Sequence, residues 1–161
     1  MPFITLQRTA PLLLFIGLVA CSSSKKADPT PTTGMSWTAD GTTQTTTTLQ
    51  SQKFSSSISV AGTIPASSNP IYLSLEFPNA VGTYTFSPTA AASATYVANT
   101  GGTSMPYYAG ASGSGTVTGA GTIVVTALTA TNVTGTFTFT GINANTGASK
   151  SITNGTFNVG L

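Results

Sequence analysis

Histidine is missing from all 161 residues, cysteine occurs once, and charged side chains make up 5% of the chain. The first absence removes the side chain that most often serves as general base near neutral pH and as metal ligand, so Ser–His triads and imidazole zinc sites are excluded. The single thiol, Cys21, rules out a disulfide within the chain. In residues 35–161 the charged side chains are Asp40, Lys53, Glu76 and Lys150, two of each sign. Binding to nucleic acid needs Lys and Arg to neutralise several phosphates, so nucleic acid is rejected as a partner, as is a polybasic membrane-binding surface. A pair of carboxyl groups for glycoside hydrolysis would have to come from Asp40 and Glu76. Glu76 reads as the wet face of a strand and Asp40 as a turn beside Gly41. Lys53 and Lys150 read as solvated lysines, since no Ser-x-x-Lys stands on a predicted helix. The glycines of 110–115 and 119–121 lack the lysine and following helix of a phosphate cradle. The chain is therefore read as not an enzyme, with no catalytic residue, no metal ligand and no cofactor.

The one cysteine sits at a seam. Ala10–Ala20 is an uncharged apolar run with Arg8 before it, and Ser22-Ser-Ser-Lys-Lys26 follows at once with polar and cationic groups. A spanning helix needs roughly 20 apolar residues, so this run is too short to span and has the layout of a signal peptide. Leu18-Val-Ala-Cys21 resembles the bacterial lipobox. That resemblance implies cleavage before Cys21, a thioether from its sulfur to diacylglycerol, and acylation of the new amino terminus. Stable anchoring takes more than one acyl chain, and such a terminus supplies it. The expected organisation is a lipoprotein signal peptide over 1–20, a lipidated cysteine with flexible tether over 21–34, and one domain over 35–161. Pro29 and Pro31 and the lack of apolar periodicity mark the tether as a spacer.

Threonine, valine, isoleucine and aromatics favour pleated strands, and Gly, Asn-Gly and Pro punctuate them at short intervals. Ile71, Leu73, Leu75 and Phe77 alternate with Tyr72, Ser74 and Glu76, the period-two pattern of a sheet with one wet face. Asn132–Ile142 alternates in the same way, with Val133, Phe137 and Phe139 on one side and Thr134, Thr136, Thr138 and Thr140 on the other. Met35–Ala39, Thr43–Leu49, Phe54–Val60, Val81–Phe86, Ala94–Val97, Met105–Ala109, Thr122–Leu128 and Lys150–Val159 complete the predicted strands. Phe54 is expected to share the inner face with Ile58 and Val60. Ile152 has the opposite parity to Phe157 and Val159, which predicts a bulge near Asn154-Gly155. The expected fold is all-β: an antiparallel two-sheet sandwich of about 8–10 strands, with an up-and-down barrel as the alternative.

Trp37, Tyr107 and Tyr108 are the candidate ligand-binding residues, because such rings combine a flat face with a polar handle; packing into the core is the competing reading. Ser36-Trp-Thr-Ala39, Val81-Gly-Thr-Tyr-Thr-Phe86, Gly135-Thr-Phe-Thr-Phe139 and Ile152-Thr-Asn-Gly-Thr-Phe157, together with the lipobox, resemble a family of uncharacterised lipoproteins of Bacteroidota over residues 35–161. That likeness implies a cell-envelope location and an all-β fold and brings no activity with it. Ser22-Ser-Ser-Lys-Lys26 departs from the acidic pattern associated with surface export there, which favours the periplasmic face of the outer membrane over the cell surface. The functional expectation is a membrane-anchored, non-catalytic binding or structural domain, its partners being the membrane through the lipid on Cys21 and a glycan or another envelope protein. The alternative is a barrel that carries a small apolar ligand inside. The threonine row of 134–140 is read as either a soluble strand face or a docking face.

Overall fold

A computed structural model describes residues 32–66, 69–111 and 119–161; the predicted signal peptide over 1–20, Cys21 and most of the predicted tether lie outside the described residues. Eleven strands follow one another without a helix among the described residues: β1 (Gly34–Ala39), β2 (Thr42–Thr46), β3 (Leu49–Lys53), β4 (Ser57–Ile64), β5 (Ile71–Pro78), β6 (Gly82–Thr85), β7 (Ser93–Thr100), β8 (Thr103–Gly110), β9 (Ala120–Leu128), β10 (Asn132–Ile142) and β11 (Ser149–Gly160). All strand pairs are antiparallel, in the order β2-β1-β11-β10-β8-β7-β5-β4-β3, with β9 also on β10 and β6 on β9. The all-β antiparallel architecture expected from the alternation is the one found, and its form is a single, nearly closed, barrel-like sheet.

Tight turns drive this order. Asp40 and Gly41 both take positive φ, 50° and 77°, which suits a two-residue hairpin loop whose twist matches its strands; Ala39 accordingly faces Thr42. Gly101 and Gly102 do the same between Thr100 and Thr103. Strand β10 splits its partners, with Ile142 on Tyr108 of β8 and Val133 to Thr140 on β9. The seam between β2 and β3 is closed by side chains. Thr46 Oγ1 donates to the Thr63 carbonyl at 2.6 Å, Ser51 Oγ to that of Gly160 at 2.6 Å, and Lys53 Nζ reaches that of Thr129 at 3.5 Å.

The inner face is filled. Phe77, Phe86, Phe137, Phe139 and Phe157 are each at most 3% exposed. Their rings form a chain, Phe77 to Phe157 at 5.5 Å, Phe157 to Phe137 at 6.4 Å, Phe137 to Phe139 at 6.3 Å and Phe139 to Phe86 at 6.0 Å between centroids, distances within the favourable range for aromatic pairs. Trp37, Ile58, Val60, Leu73, Leu75 and Ile123 pack into the same buried cluster. The interior in which a carrier would hold its ligand is thus occupied by the protein's own rings.

Two local differences from the sequence reading have physical causes, and one local expectation is met. The threonine-rich 43–49 run is two strand pieces, because the chain leaves β1 at Thr46 and turns through Thr47 and Thr48 to pair with β4 as β3. Phe54 is 45% exposed: it precedes β4, and its N–H closes a turn onto the Ser57 carbonyl, so strand parity does not extend to it. The bulge near Asn154-Gly155 is present. Phe137 faces Gly155 while Phe139 faces Ile152, and Asn154 takes φ 51°.

Candidate functional site

The outer face of β9, β10, β11, β1 and β2 carries a groove of about 660 Å³ whose walls include Thr45, Ser36, Thr156, Asn158, Thr134 and Thr126. Cross-strand register explains this set. Ser36 faces Thr45 on one side and Thr156 on the other, and Thr134 faces Asn158, so small polar residues from five strands meet on one surface. The hydroxyls work in pairs. Ser36 Oγ and Thr156 Oγ1 are 2.8 Å apart, and Thr126 Oγ1 lies 3.2 Å from both the hydroxyl and the carbonyl of Thr134. Thr126 is the extra residue of a second bulge, since Thr134 faces Ala127 and Gly135 faces Val125. Bulges of this kind re-aim a side chain.

A second groove of about 360 Å³ adjoins the first at Thr156 and is lined by Thr122, Val124, Thr136, Thr138 and Asn154 among others. Together they make a trough without a charged residue. Thr134, Thr136 and Thr138 of the predicted threonine row all line it. Sequence reasoning missed Ser36, Thr45, Thr126, Thr156 and Asn158, because their convergence depends on which strands are neighbours, and single-strand periodicity carries no such signal.

The aromatic candidates lie elsewhere. Trp37 is fully buried and Tyr107 is 6% exposed, both in the core, whereas Tyr108 is half-buried on the opposite face of β8 from its neighbour. The three therefore do not share a surface. Asp40 and Glu76 are not brought together as an acid pair among the contacts of the described residues: Asp40 accepts a hydrogen bond from Lys150 Nζ in an ion pair, and Glu76 is exposed on β5. Lys150 Nζ also stands 5.5 Å above the Tyr107 ring.

Residues 34–159 match the model of a family described as a domain of unknown function, DUF6252. The chain belongs to this family. No curated protein and no solved structure matches the chain. The match runs from the first residue of β1 to the penultimate residue of β11, so apart from Thr32 and Thr33 at its rim the trough lies wholly within the matched residues of the DUF6252 domain.

With no histidine, the DUF6252 domain has no side chain with an ordinary pKa between about 5 and 8. Its resolved shifts lie at the basic end. The hydrogen bond to Asp40 holds the Lys150 ammonium above its ordinary 10.5, against an opposing effect of partial burial. Burial pushes the Tyr96 hydroxyl above 10.0, with the Lys150 charge acting the other way. Both groups bind their proton more tightly when folded. Their stabilisation is therefore complete below the unfolded values and is lost as pH rises through the folded ones. The expected result is a melting temperature that is level from about pH 6 to 9 and falls above about pH 10, with a shallower fall in Lys150→Met. A melting temperature that climbs above pH 10 would contradict this assignment.

Proposed function

We propose that the chain is a cell-envelope lipoprotein held by lipid on Cys21, on the periplasmic face of the outer membrane, whose DUF6252 domain is a non-catalytic binding module. The observation that carries the binding reading is the trough: a concave surface of paired hydroxyls on the outside of a sheet whose inside is filled. The non-catalytic reading draws on the same inventory. The chain has no histidine, Cys21 is committed to the anchor, and Asp40 is engaged by Lys150. A binding module needs none of these groups, whereas an acid–base enzyme would need some of them free in a cleft. The lipobox-like Leu18-Val-Ala-Cys21 and the Pro- and Ser-containing spacer after it support the anchor.

Metabolic labelling with an alkyne fatty acid tests it. The wild-type chain is expected to carry the label and to sediment with membranes, and Cys21→Ser to do neither. Equal labelling of both would sink the lipoprotein reading.

A further inference from the structure

We propose that the trough binds an uncharged polysaccharide, laid across β9, β10, β11 and β1 with at least two linked sugar rings in contact; this deepens the binding-module reading above and rests on it. Three features of the site point to that ligand.

The first is charge. Neither groove has an ionisable acid or base in its lining, so nothing there would compensate the charge of a phosphate, a carboxylate or an ammonium, whose desolvation would go unpaid. A neutral ligand incurs no such cost.

The second is the hydroxyl pairing. In a hydroxyl dyad one proton is used internally, which leaves one donor and spare acceptor lone pairs, and the internal bond can reverse. The Ser36–Thr156 pair fits this description at 2.8 Å, with either oxygen able to donate. In the Thr126–Thr134 pair Thr126 Oγ1 donates to the Thr134 carbonyl, which leaves the Thr134 hydroxyl to donate within the pair at 3.2 Å, so this dyad offers a sugar hydroxyl acceptor lone pairs. Sugar hydroxyls also donate and accept, so a reversible dyad suits them in either sense. The threonine methyls beside each hydroxyl give the C–H faces of a sugar ring an apolar contact.

The third is span. The two dyads lie two strands across and two residues along from each other, about 12 Å apart at ~4.8 Å per strand and ~3.4 Å per residue. Their outer members, Ser36 and Thr126, lie three strands apart, about 15 Å at ~4.8 Å per strand, so engaging the full width takes more than one pyranose ring, and the second groove, continuing past Thr156, extends the track toward Thr138 and Asn154. The bulges at Thr126 and at Asn154, one beside each groove, place side chains that a regular ladder would point elsewhere. A protein partner fits less well. Interface hot spots are enriched in Trp, Tyr and Arg, and the trough offers no such residue; Phe137 and Phe157 at its floor are 3% exposed.

Position supplies a source. Thr32 and Thr33 line the rim, and Thr32 is eleven residues after Cys21, so the groove stays within about 40 Å of the anchor even with the tether fully extended. The polymer lies close to the membrane.

Affinity gel electrophoresis of the full chain in non-ionic detergent, with a mixed-linkage β-glucan, xyloglucan, dextran or a fructan in the gel, tests the proposal. Retardation by at least one of these is expected, with apparent affinity unchanged within twofold between low and high salt. Thr156→Lys and Thr134→Lys should each weaken it at least tenfold, Thr156→Val severalfold, and Ser104→Lys, at an exposed position of β8 outside the trough, not at all. Melting curves on each variant separate binding loss from unfolding. Retardation by none of the four, retardation indifferent to the trough variants, or a more than tenfold loss in high salt would overturn it. So would a Thr156-dependent cross-link to an envelope protein without polysaccharide binding, which would assign the trough to a protein. None of these outcomes touches the anchor, which stands or falls with the fatty-acid label.

Discussion

Trp37→Ala is expected to lower the stability of the domain by about 3–5 kcal/mol, the usual cost of emptying a large aromatic site, which is a large share of the ~5–15 kcal/mol that holds a domain together. Trp37 is fully buried on β1, a strand paired on both sides, by β2 and β11. The surrounding ladder leaves little freedom for the space to collapse. The indole is also unusual in that its Nε1–H is buried with no hydrogen-bond partner. Trp37→Phe removes that unsatisfied donor, and the gain offsets part of the lost volume because an unmade buried hydrogen bond costs about 1–3 kcal/mol. Urea denaturation followed by circular dichroism should thus rank wild type, then Trp37→Phe close below it, then Trp37→Ala far below. A loss under about 1 kcal/mol for the alanine variant would mean that the site is not the packed core described above.

The second large effect comes from two glycines that face phenylalanines across β10 and β11. Gly135 pairs with Phe157 and Phe137 pairs with Gly155, so each ring lies over a position that has no side chain. A Cβ on Gly155 would lie 2.5 Å from Cδ2 of Phe137, with only ring atoms among its nearest contacts. On Gly135 it would lie 2.2 Å from the Val124 carbonyl oxygen and 2.5 Å from Cζ of Phe157. Overpacking of this kind costs about 1–3 kcal/mol, and both alanine variants should reach the upper end. The partner separates them. Shrinking the ring with Phe137→Leu should recover part of the Gly155→Ala loss, a favourable coupling in a double-mutant cycle. Phe157→Leu should recover little of the Gly135→Ala loss, because the backbone carbonyl of β9 cannot move without breaking its ladder. Additive losses in the Phe137–Gly155 cycle would argue against this ring-over-glycine packing.

The fold was legible wherever one strand carried its own evidence. Ile71–Phe77 shows its inner face in its alternation, the parity switch between Ile152 and Phe157 marks the bulge, and Asp40-Gly41 and the glycines at 101 and 102 mark the turns. What failed needed information from a second strand. The 43–49 stretch reads as one strand because Thr47 and Thr48 have the same composition as their neighbours, and the switch from β1 to β4 is made by pairing partners. The same limit hid the trough. Thr134 was visible in its row, but its neighbours Thr126, Asn158 and, one strand further on, Ser36 are separated from it along the chain and joined only by register. Aromatic residues were the reverse case: Trp37 and Tyr107 look like a binding platform by chemistry and are taken by the core, since large rings are the most effective way to fill a sheet interior.

The pairing of β1 with β11, Gly34 opposite Asn158, sets the order in which the molecule can be completed. A strand at the start of the domain acquires its second neighbour only when the final strand has been made, and contacts so distant in sequence slow folding because a long loop must be closed before they repay its entropy. Until then the β1–β2 hairpin keeps an unpaired edge, and its Trp37 and Met35 lack part of their cover. The last strand also serves two partners at once, β1 and β10, so a chain cut short before Ser149 would lose both ladders together. Such a protein is completed by joining the two ends of its sequence, and its vulnerable interval is the whole time between the synthesis of its first strand and the arrival of its last.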